Sequence, residues 1–465
     1  MPAELAASRL VVLSDLHLAP PGEQCVFAAH EPLVALIRHL TAVQAETLPQ
    51  WLVLNGDVFD FLQIPGYDSL SLPLAPQRMA GLLDALDAEP PQRNVVKALA
   101  GFTAAGHRLS CLPGNHDAEL NLASVQDVLA RRLGSCRALP PSAGCWRLNV
   151  AGRSVFGLHG HHEDAFNAIS GARMETAQAD GDATVPMPPG SRLVCHVINP
   201  FRRAKTPDGR RRFPFIDRLP SDQAVVLAIM LLDPRLAAKR LKDALGIGAA
   251  ALVRKALMTS GVSAGQLGMR PAPASTDAGQ TTWIDELAQH LANASQGRPM
   301  GPTASATALE HELDAYFAGQ GLGGAQGSGT LAAGEGGVRG LLWAGLARAL
   351  AATHDNFRSA KPDRLAQRMT ATSRPESVTI TGHTHAAKAL TAADGTVYLN
   401  TGTWLDQVLP PPEPDATSLP EWLARLQRDE LFTWNGHPAA WVDGEGARLV
   451  RWNGSSLVDW SDAGP

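Results

Sequence analysis

The sequence predicts an α/β fold with a largely parallel sheet, and three observations predict it. Short apolar runs alternate with helical stretches from Leu10 to Leu112, which gives a β-α-β start. The run Trp51–Leu54 shows no polar alternation, as in a strand covered on both faces. Turn residues close these runs, and Asp, His or Asn follows at once, which puts the chemistry at the carboxyl ends of the strands.

Taken in order, the first strand is Leu10–Leu13, ending in Ser14-Asp15-Leu16-His17-Leu18, where residues i and i+2 share a face. A helix over Glu31–Ala45 leads to the strand Trp51–Leu54 and to Asn55-Gly56-Asp57-Val58-Phe59-Asp60, with Gly56 allowing the sharp turn that aims Asp57 into a crevice. A second unit follows: a helix over Gln92–Ala105, a strand over Arg108–Leu112, and Pro113-Gly114-Asn115-His116-Asp117, where Pro and Gly force a turn. Cys145–Val150 and Arg153–Leu158 read as a hairpin ending in His159-Gly160-His161-His162. Ser377–Ile380 is a short strand ending in Thr381-Gly382-His383-Thr384-His385, Val397–Trp404 carries one more core strand, and Ala439–Asp443 with Ala447–Trp452 forms a closing hairpin.

Composition sets wider bounds. A chain of 465 residues has room for two or three domains, and a net charge of −5 gives no bulk reason to expect nucleic acid or a membrane surface. Five cysteines without CxxC spacing argue against a disulfide framework and a thiolate zinc site, so reduced thiols and a cytoplasmic location are expected. The amino-terminal apolar run lacks a basic stretch before it and reads as a strand rather than a signal peptide, and the longest apolar run, Ala224–Leu232, is too short to span a bilayer. Carboxylate, imidazole and amide oxygen at five strand ends, without thiolate, suit Mn, Fe or Zn, with Mg less natural for several imidazoles.

The ordered blocks Asp15-Leu-His17, Gly56-Asp57-Val-Phe-Asp60, Gly114-Asn-His-Asp117, His159-Gly-His161 and Gly382-His-Thr-His385 resemble those of the calcineurin-like metallophosphoesterases. The resemblance implies a four-layer α/β/β/α sandwich of two mixed sheets, formed by residues 1–162 and 376–465. It implies two divalent ions, Mn first with Fe, Zn or Mg as alternatives. One would be held by Asp15, His17, Asp57 and His385, the other by Asp57, Asn115, His159 and His383. His159 is preferred to His161 because it directly ends its strand; His161 is then the alternative ligand or a substrate contact. His116 would face the phosphate as acid or charge stabiliser, oriented by Asp60. The implied activity is hydrolysis of a phosphoester or pyrophosphate bond in a small or lipid-linked substrate by a metal-bridging hydroxide. A nuclease or cyclic-nucleotide phosphodiesterase, or a non-catalytic scaffold of the same fold, are the other readings. Ser14–Leu18 and Gly56–Asp60 are most similar to the branch containing UDP-2,3-diacylglucosamine hydrolases. That branch often has Arg in place of His116 and carries only a short helical cap.

The blocks leave residues 163–375 unexplained, a large, mainly helical insertion. Helices are expected at Asp222–Leu232, Leu236–Leu245, Trp283–Ala292, Ala306–Phe317 and Leu341–Thr353, with a flexible Gly-rich loop at 319–340 that lacks the Gly-Lys-Ser/Thr of a phosphate loop. Because the insertion leaves after His159 and returns before His383, it is expected to act as a lid. Its basic cluster, Arg202, Arg203, Arg210, Arg211 and Arg212, is a candidate for substrate phosphate or peripheral contact with an acidic membrane.

Overall fold

The structure, a computed structural model, describes residues 6–22, 25–43, 49–88, 94–134, 144–233, 338–411, 413–415 and 418–462. Two compact units divide the chain: one comprises Met1–Cys195, Asp355–Gln407 and Thr433–Pro465, the other His196–His354 and Val408–Phe432. The expected helices Leu236–Leu245, Trp283–Ala292 and Ala306–Phe317, and nearly all of the Gly-rich stretch, lie outside the described residues. Among the described residues no helix is long and apolar enough to cross a membrane.

The first unit is built on two six-stranded mixed sheets. Its strands are β1 (Ala6–Ala7), β2 (Arg9–Leu13), β3 (Gln50–Asn55), β4 (Arg108–Leu112), β5 (Cys145–Val150), β6 (Arg153–Leu158), β7 (Val378–Thr381), β8 (Ala387–Thr391), β9 (Val397–Thr401), β10 (Pro438–Val442), β11 (Ala447–Trp452) and β12 (Leu457–Asp459). One sheet runs β12-β11-β10-β2-β3-β4, the other β1-β5-β6-β7-β9-β8. The two mixed sheets implied by the resemblance are thus observed, and only the largely parallel sheet expected from the β-α-β start is corrected. Strands β2, β3 and β4 are parallel, joined through helices, but the hairpin β10–β11 needs no crossover and lays β10 antiparallel against β2.

Residue alternation decides which face goes where. Leu10 and Val12 of β2 pack into a cluster with Trp51 and Val53 of β3, Trp146 and Leu148 of β5, and Ile380 of β7, the apolar seam between the two sheets. Val11, Leu13, Leu52 and Leu54 face the other way, onto a core shared with α1 (His30–Thr41), α2 (Ala75–Ala88), α3 (Val95–Ala104) and α4 (Ala123–Leu133). On the far side of the second sheet, Phe156, Leu158 and Tyr398 meet Leu365, Ala366 and Met369, the last three from the helix Arg364–Ala371. Helices thus lie on both outer faces of a pair of sheets, as a strand pattern apolar on both faces requires. Residues 163–195 also pack in this unit, where Thr184–Val185 pairs with Leu70–Ser71.

The second unit has a core of its own. Asp222–Leu232 and Val338–His354 are helical and pack on each other, the first capped by Ser221, whose hydroxyl accepts from Ala224 N. Phe201, Phe213 and Phe215 stack edge to face at 5.7 and 6.1 Å between ring centroids.

One polar side chain crosses the apolar seam. Asn55, at the end of β3, donates from Nδ2 to Leu158 O at 2.9 Å and accepts from Trp146 Nε1 at 2.9 Å, while its own carbonyl accepts from His159 Nδ1 at 2.9 Å. All of these groups are buried, so losing the amide leaves a donor and an acceptor stranded. Asn55→Leu is expected to lower stability by about 3 kcal/mol, read as a lower urea midpoint at unchanged m by tryptophan fluorescence.

Candidate metal centre

The loops that follow β2, β3, β4, β6 and β7 converge at one end of the paired sheets, and their backbone is strained where they do. Asp15 (φ 52°), His17 (φ 51°), Asp57 (φ 51°), His383 (φ 70°) and His385 (φ 56°) are all left-handed. Among the described residues only eight non-glycine positions have a positive φ, and five of the eight are among the seven candidate ligands. Each such residue costs about 1–3 kcal/mol and persists only when its surroundings hold it. Here the loops are stitched together: Asp15 N donates to Gly56 O at 3.1 Å, His17 N to Asp57 O at 2.9 Å, and Asp60 N to Leu18 O at 2.8 Å. Gly56 and Gly114 leave the necessary room. A Cβ on Gly56 would strike the His159 ring, and one on Gly114 the Asp57 carboxylate.

The side chains gather into two adjoining groups. In the first, Asp15, His17 and His385 bring their ligand atoms within 4.8 Å of one another, with His385 Nε2 lying 3.4 Å from Asp15 Oδ1 and 3.2 Å from His17 Nε2. In the second, Asp57, His159 and His383 do the same, with His159 Nε2 lying 3.3 Å from Asp57 Oδ2. The groups are 4.0 Å apart between Asp15 Oδ1 and His159 Nε2. His159 Nδ1 must donate, because it faces the Asn55 carbonyl, so Nε2 is the nitrogen left for a cation. His17 Nδ1 likewise donates to Asp60 Oδ2 at 2.9 Å and turns Nε2 toward Asp15 and His385.

These residues fit divalent cations. Asn115 Oδ1 is buried without a hydrogen-bond partner, His159 Nε2 is buried facing the Asp57 and Asp15 carboxylates, and carboxylate, imidazole and amide donors are the set such ions take. Electrostatics points the same way. Burial alone would lower the His159 pKa, but Asp57 and Asp15 outweigh it and push it up to about 10. Without a cation, a proton is what keeps this cluster of carboxylates balanced.

His116 sits beside the two groups. Its Nδ1 donates to Asp60 Oδ2 at 2.9 Å, and its side chain keeps 15 % of its surface exposed. Asp60 is fully buried; burial would raise its pKa, but the His116 and His17 rings hold it below the usual carboxylate range. One ionised oxygen therefore orients both a candidate ligand and the candidate acid.

Several supporting residues carry no role in the sequence reading. Asp117 accepts from Gly114 N at 2.6 Å, Asp57 N at 3.1 Å, Val58 N at 2.9 Å and Phe59 N at 3.2 Å, tying the β4 loop to the β3 loop. Burial first and the Asp57 charge second push its pKa up to about 7. Its place at the end of the Gly-Asn-His-Asp turn is the signal available in sequence. Ser14 donates to the Asp15 carboxylate, and Asp164 Oδ2 lies 3.7 Å from His383 Nε2; neither has a spacing that marks it.

His161 is buried and directs Nε2 to Ile169 O at 3.1 Å, its ring centroid 5.4 Å from that of His159. The arginine cluster belongs to the second unit, and most of it is engaged there. Arg202 and Arg211 reach Asp217 at 2.6 and 3.8 Å, Arg210 reaches Asp208 at 2.9 Å, and Arg212 pairs with Asp233. Arg203 is the C-cap residue of the short helix Asn199–Arg202 and is exposed.

Residues 8–187 match the family model for calcineurin-like phosphoesterases, which supports that superfamily and phosphoesterase hydrolysis in general. No curated protein gives a match to this chain. The matched segment holds Asp15, His17, Asp57, Asp60, Asn115, His116, His159 and His161 but neither His383 nor His385. The fold supplies those two from nearly the other end of the chain.

The His159 proton generates a measurable sign. The pKa lies above the ordinary value of 6.5, so the proton is held until the pH rises through about 10, and a cation binding at Nε2 must displace it. Metal binding at pH 7.5 is expected to release at least one proton per chain, and apparent affinity to rise about tenfold per pH unit from 7 to 9. Calorimetry in buffers of different ionisation enthalpy measures both.

Proposed function

We propose that the chain is a metal-dependent phosphoesterase with two divalent ions, Mn by preference, sharing Asp57. Asp15, His17 and His385 complete one set of ligands, and Asn115, His159 and His383 the other. The proposed substrate is a phosphoester or pyrophosphate of a small or lipid-linked molecule. Ser14–Leu18 and Gly56–Asp60 favour a place near the UDP-2,3-diacylglucosamine hydrolase branch. The observation that carries the reading is the meeting of His385 with Asp15 and His17, at 3.4 and 3.2 Å, from outside the segment that matches the family.

When bound, such an ion pair supplies a water activated at neutral pH and positive charge against the phosphoryl oxygens. The chain's own residues do the rest. His17 and His159 are locked with Nδ1 as donor, which presents Nε2 for ligation without any rotation of the ring. Asp60 holds the His116 ring by Nδ1, which leaves Nε2 as the nitrogen to meet a leaving oxygen or a phosphoryl oxygen.

The test is a panel of nitrophenyl monoester, diester and pyrophosphate substrates with Mn added. Hydrolysis of at least one substrate, abolished by chelation and by Asp57→Asn, is the expected result. Activity in metal-free protein, or two metals per chain in fully active Asp57→Asn protein, overturns the proposal. Within the same panel, His116→Ala is expected to keep both metals while kcat falls about 10²-fold or more. A variant that loses metal but keeps its turnover per bound metal would make His116 a ligand instead.

A further inference from the structure

Thr384 stands between His383 and His385, and its hydroxyl is gripped from two sides. It donates to Asp363 Oδ2 at 2.8 Å and accepts from Asn400 Nδ2 at 3.1 Å. The Asn400 amide also donates to Gly382 O at 2.9 Å, and its Oδ1 accepts from Gly402 N at 2.9 Å, so this amide is fixed by β9 and its turn. Asp363 is the N-cap of the helix Arg364–Ala371, its Oδ1 accepting from Ala366 N at 2.7 Å. It lies on the segment by which the chain re-enters the first unit at Asp355 after running through the second.

The loop needs such a grip. His383 and His385 flank Thr384 with φ of 70° and 56°, a combined cost of about 2–6 kcal/mol. The amide of His383 is tied to Asp15 Oδ1 and Oδ2 at 3.2 and 3.0 Å, which fixes the first histidine from the β2 side. Between the histidines the Thr384 amide closes a tight turn onto Gly382 O at 2.9 Å, and the Thr384 hydroxyl ties that turn to groups outside the loop. A helix N-cap uses one side-chain oxygen, and a serine would serve as well. The second carboxylate oxygen of Asp363 is therefore surplus to the helix, and it goes to the metal loop.

We propose that Asp363 is a positioning residue for the metal centre. Acting through Thr384, it holds His383 and His385 in their strained, ligating conformation and so sets the affinity for divalent ions. The inference rests on the reading of these two histidines as ligands. It also makes the start of the helix Arg364–Ala371, which itself contributes no ligand, part of the metal site's support.

The experiment is Mn²⁺ titration of the metal-free full-length protein, with free Mn²⁺ read by electron paramagnetic resonance and Tm recorded for each variant. Thr384→Val, which keeps shape and removes the hydroxyl, is expected to weaken Mn²⁺ binding about tenfold or more, and Thr384→Ser to stay within about twofold of the parent. Asp363→Ser keeps the helix cap and hence Tm, and is expected to weaken Mn²⁺ binding about tenfold. Ser170→Ala, which removes the cap of the helix Gly171–Ala179, is the control: Tm falls and Mn²⁺ binding does not change. Parent-like affinity in both Thr384→Val and Asp363→Ser overturns the inference, even when Asp57→Asn loses its metal and the reading of the centre stands. A parent protein that binds no divalent ion overturns that reading, and the inference falls with it. If Thr384→Val does not fold, Asp363→Ser decides.

Discussion

Negative charge gathered at the end of two sheets and shut away from water is the constraint on which this structure turns. Asp15, Asp57, Asp60 and Asp117 are all essentially without solvent exposure. An isolated buried carboxylate is too costly to keep, so each must be matched locally. Asp117 is matched by four backbone N–H groups, Asp60 by two imidazoles and by Gln63 Nε2 at 2.5 Å, and Asp15 by Ser14 and the His383 amide. Asp57 accepts the His116 amide at 2.8 Å and otherwise faces His159. The Asp57 and Asp15 charges raise the His159 pKa, and burial with the Asp57 charge raises that of Asp117, so both groups favour the proton that offsets this charge, a role a divalent cation would also fill. The strained loops, the glycines that let them approach and the polar stitch at Asn55 all serve to hold this charge in place.

Strand ends were the most legible part of the sequence because two signals coincide there. An apolar run identifies the strand, and Asp, His or Asn at or just past its end identifies its mouth, directly after a glycine at Gly56, Gly114 and Gly382; Leu10–Asp15, Trp51–Asp57, Arg108–Asn115, Arg153–His159 and Ser377–His383 all read this way. The strands fall where expected to within a residue or two, and the residues after them converge. What the pattern does not contain is partner choice. Nothing in Ala439–Asp443 says that it lies antiparallel beside β2 and so makes the sheet mixed, since strand pairing is fixed by packing across the whole unit.

Supporting residues were harder to read for a different reason. Asp363, Asn400 and Asn55 act through hydrogen bonds to groups remote in sequence, and Asn and Asp at loop positions are too common for any one to stand out. The helix Ala75–Ala88 and the helix Leu419–Gln427 carry no motif and none of the candidate ligands, and each emerges only with the packing of its own unit. In the second unit the arginines read as a free basic cluster, because a sequence shows charge but not that Asp208, Asp217 and Asp233 fold back onto it.

The order of strands β10-β2-β3 bears on how the chain is made. Strand β2 is flanked by β3, about forty residues on, and by β10, which pairs Val11 with Trp441. Asp15 likewise waits for His385. During synthesis the first strand is therefore available long before its second neighbour exists, with one edge unpaired and the apolar seam uncovered. Such an edge is prone to wrong pairing. Folding of the first unit is then a late, closing event, dominated by contacts between opposite ends of the chain, and a nascent chain stopped short of Pro438 would be a client for chaperones rather than a smaller version of the protein.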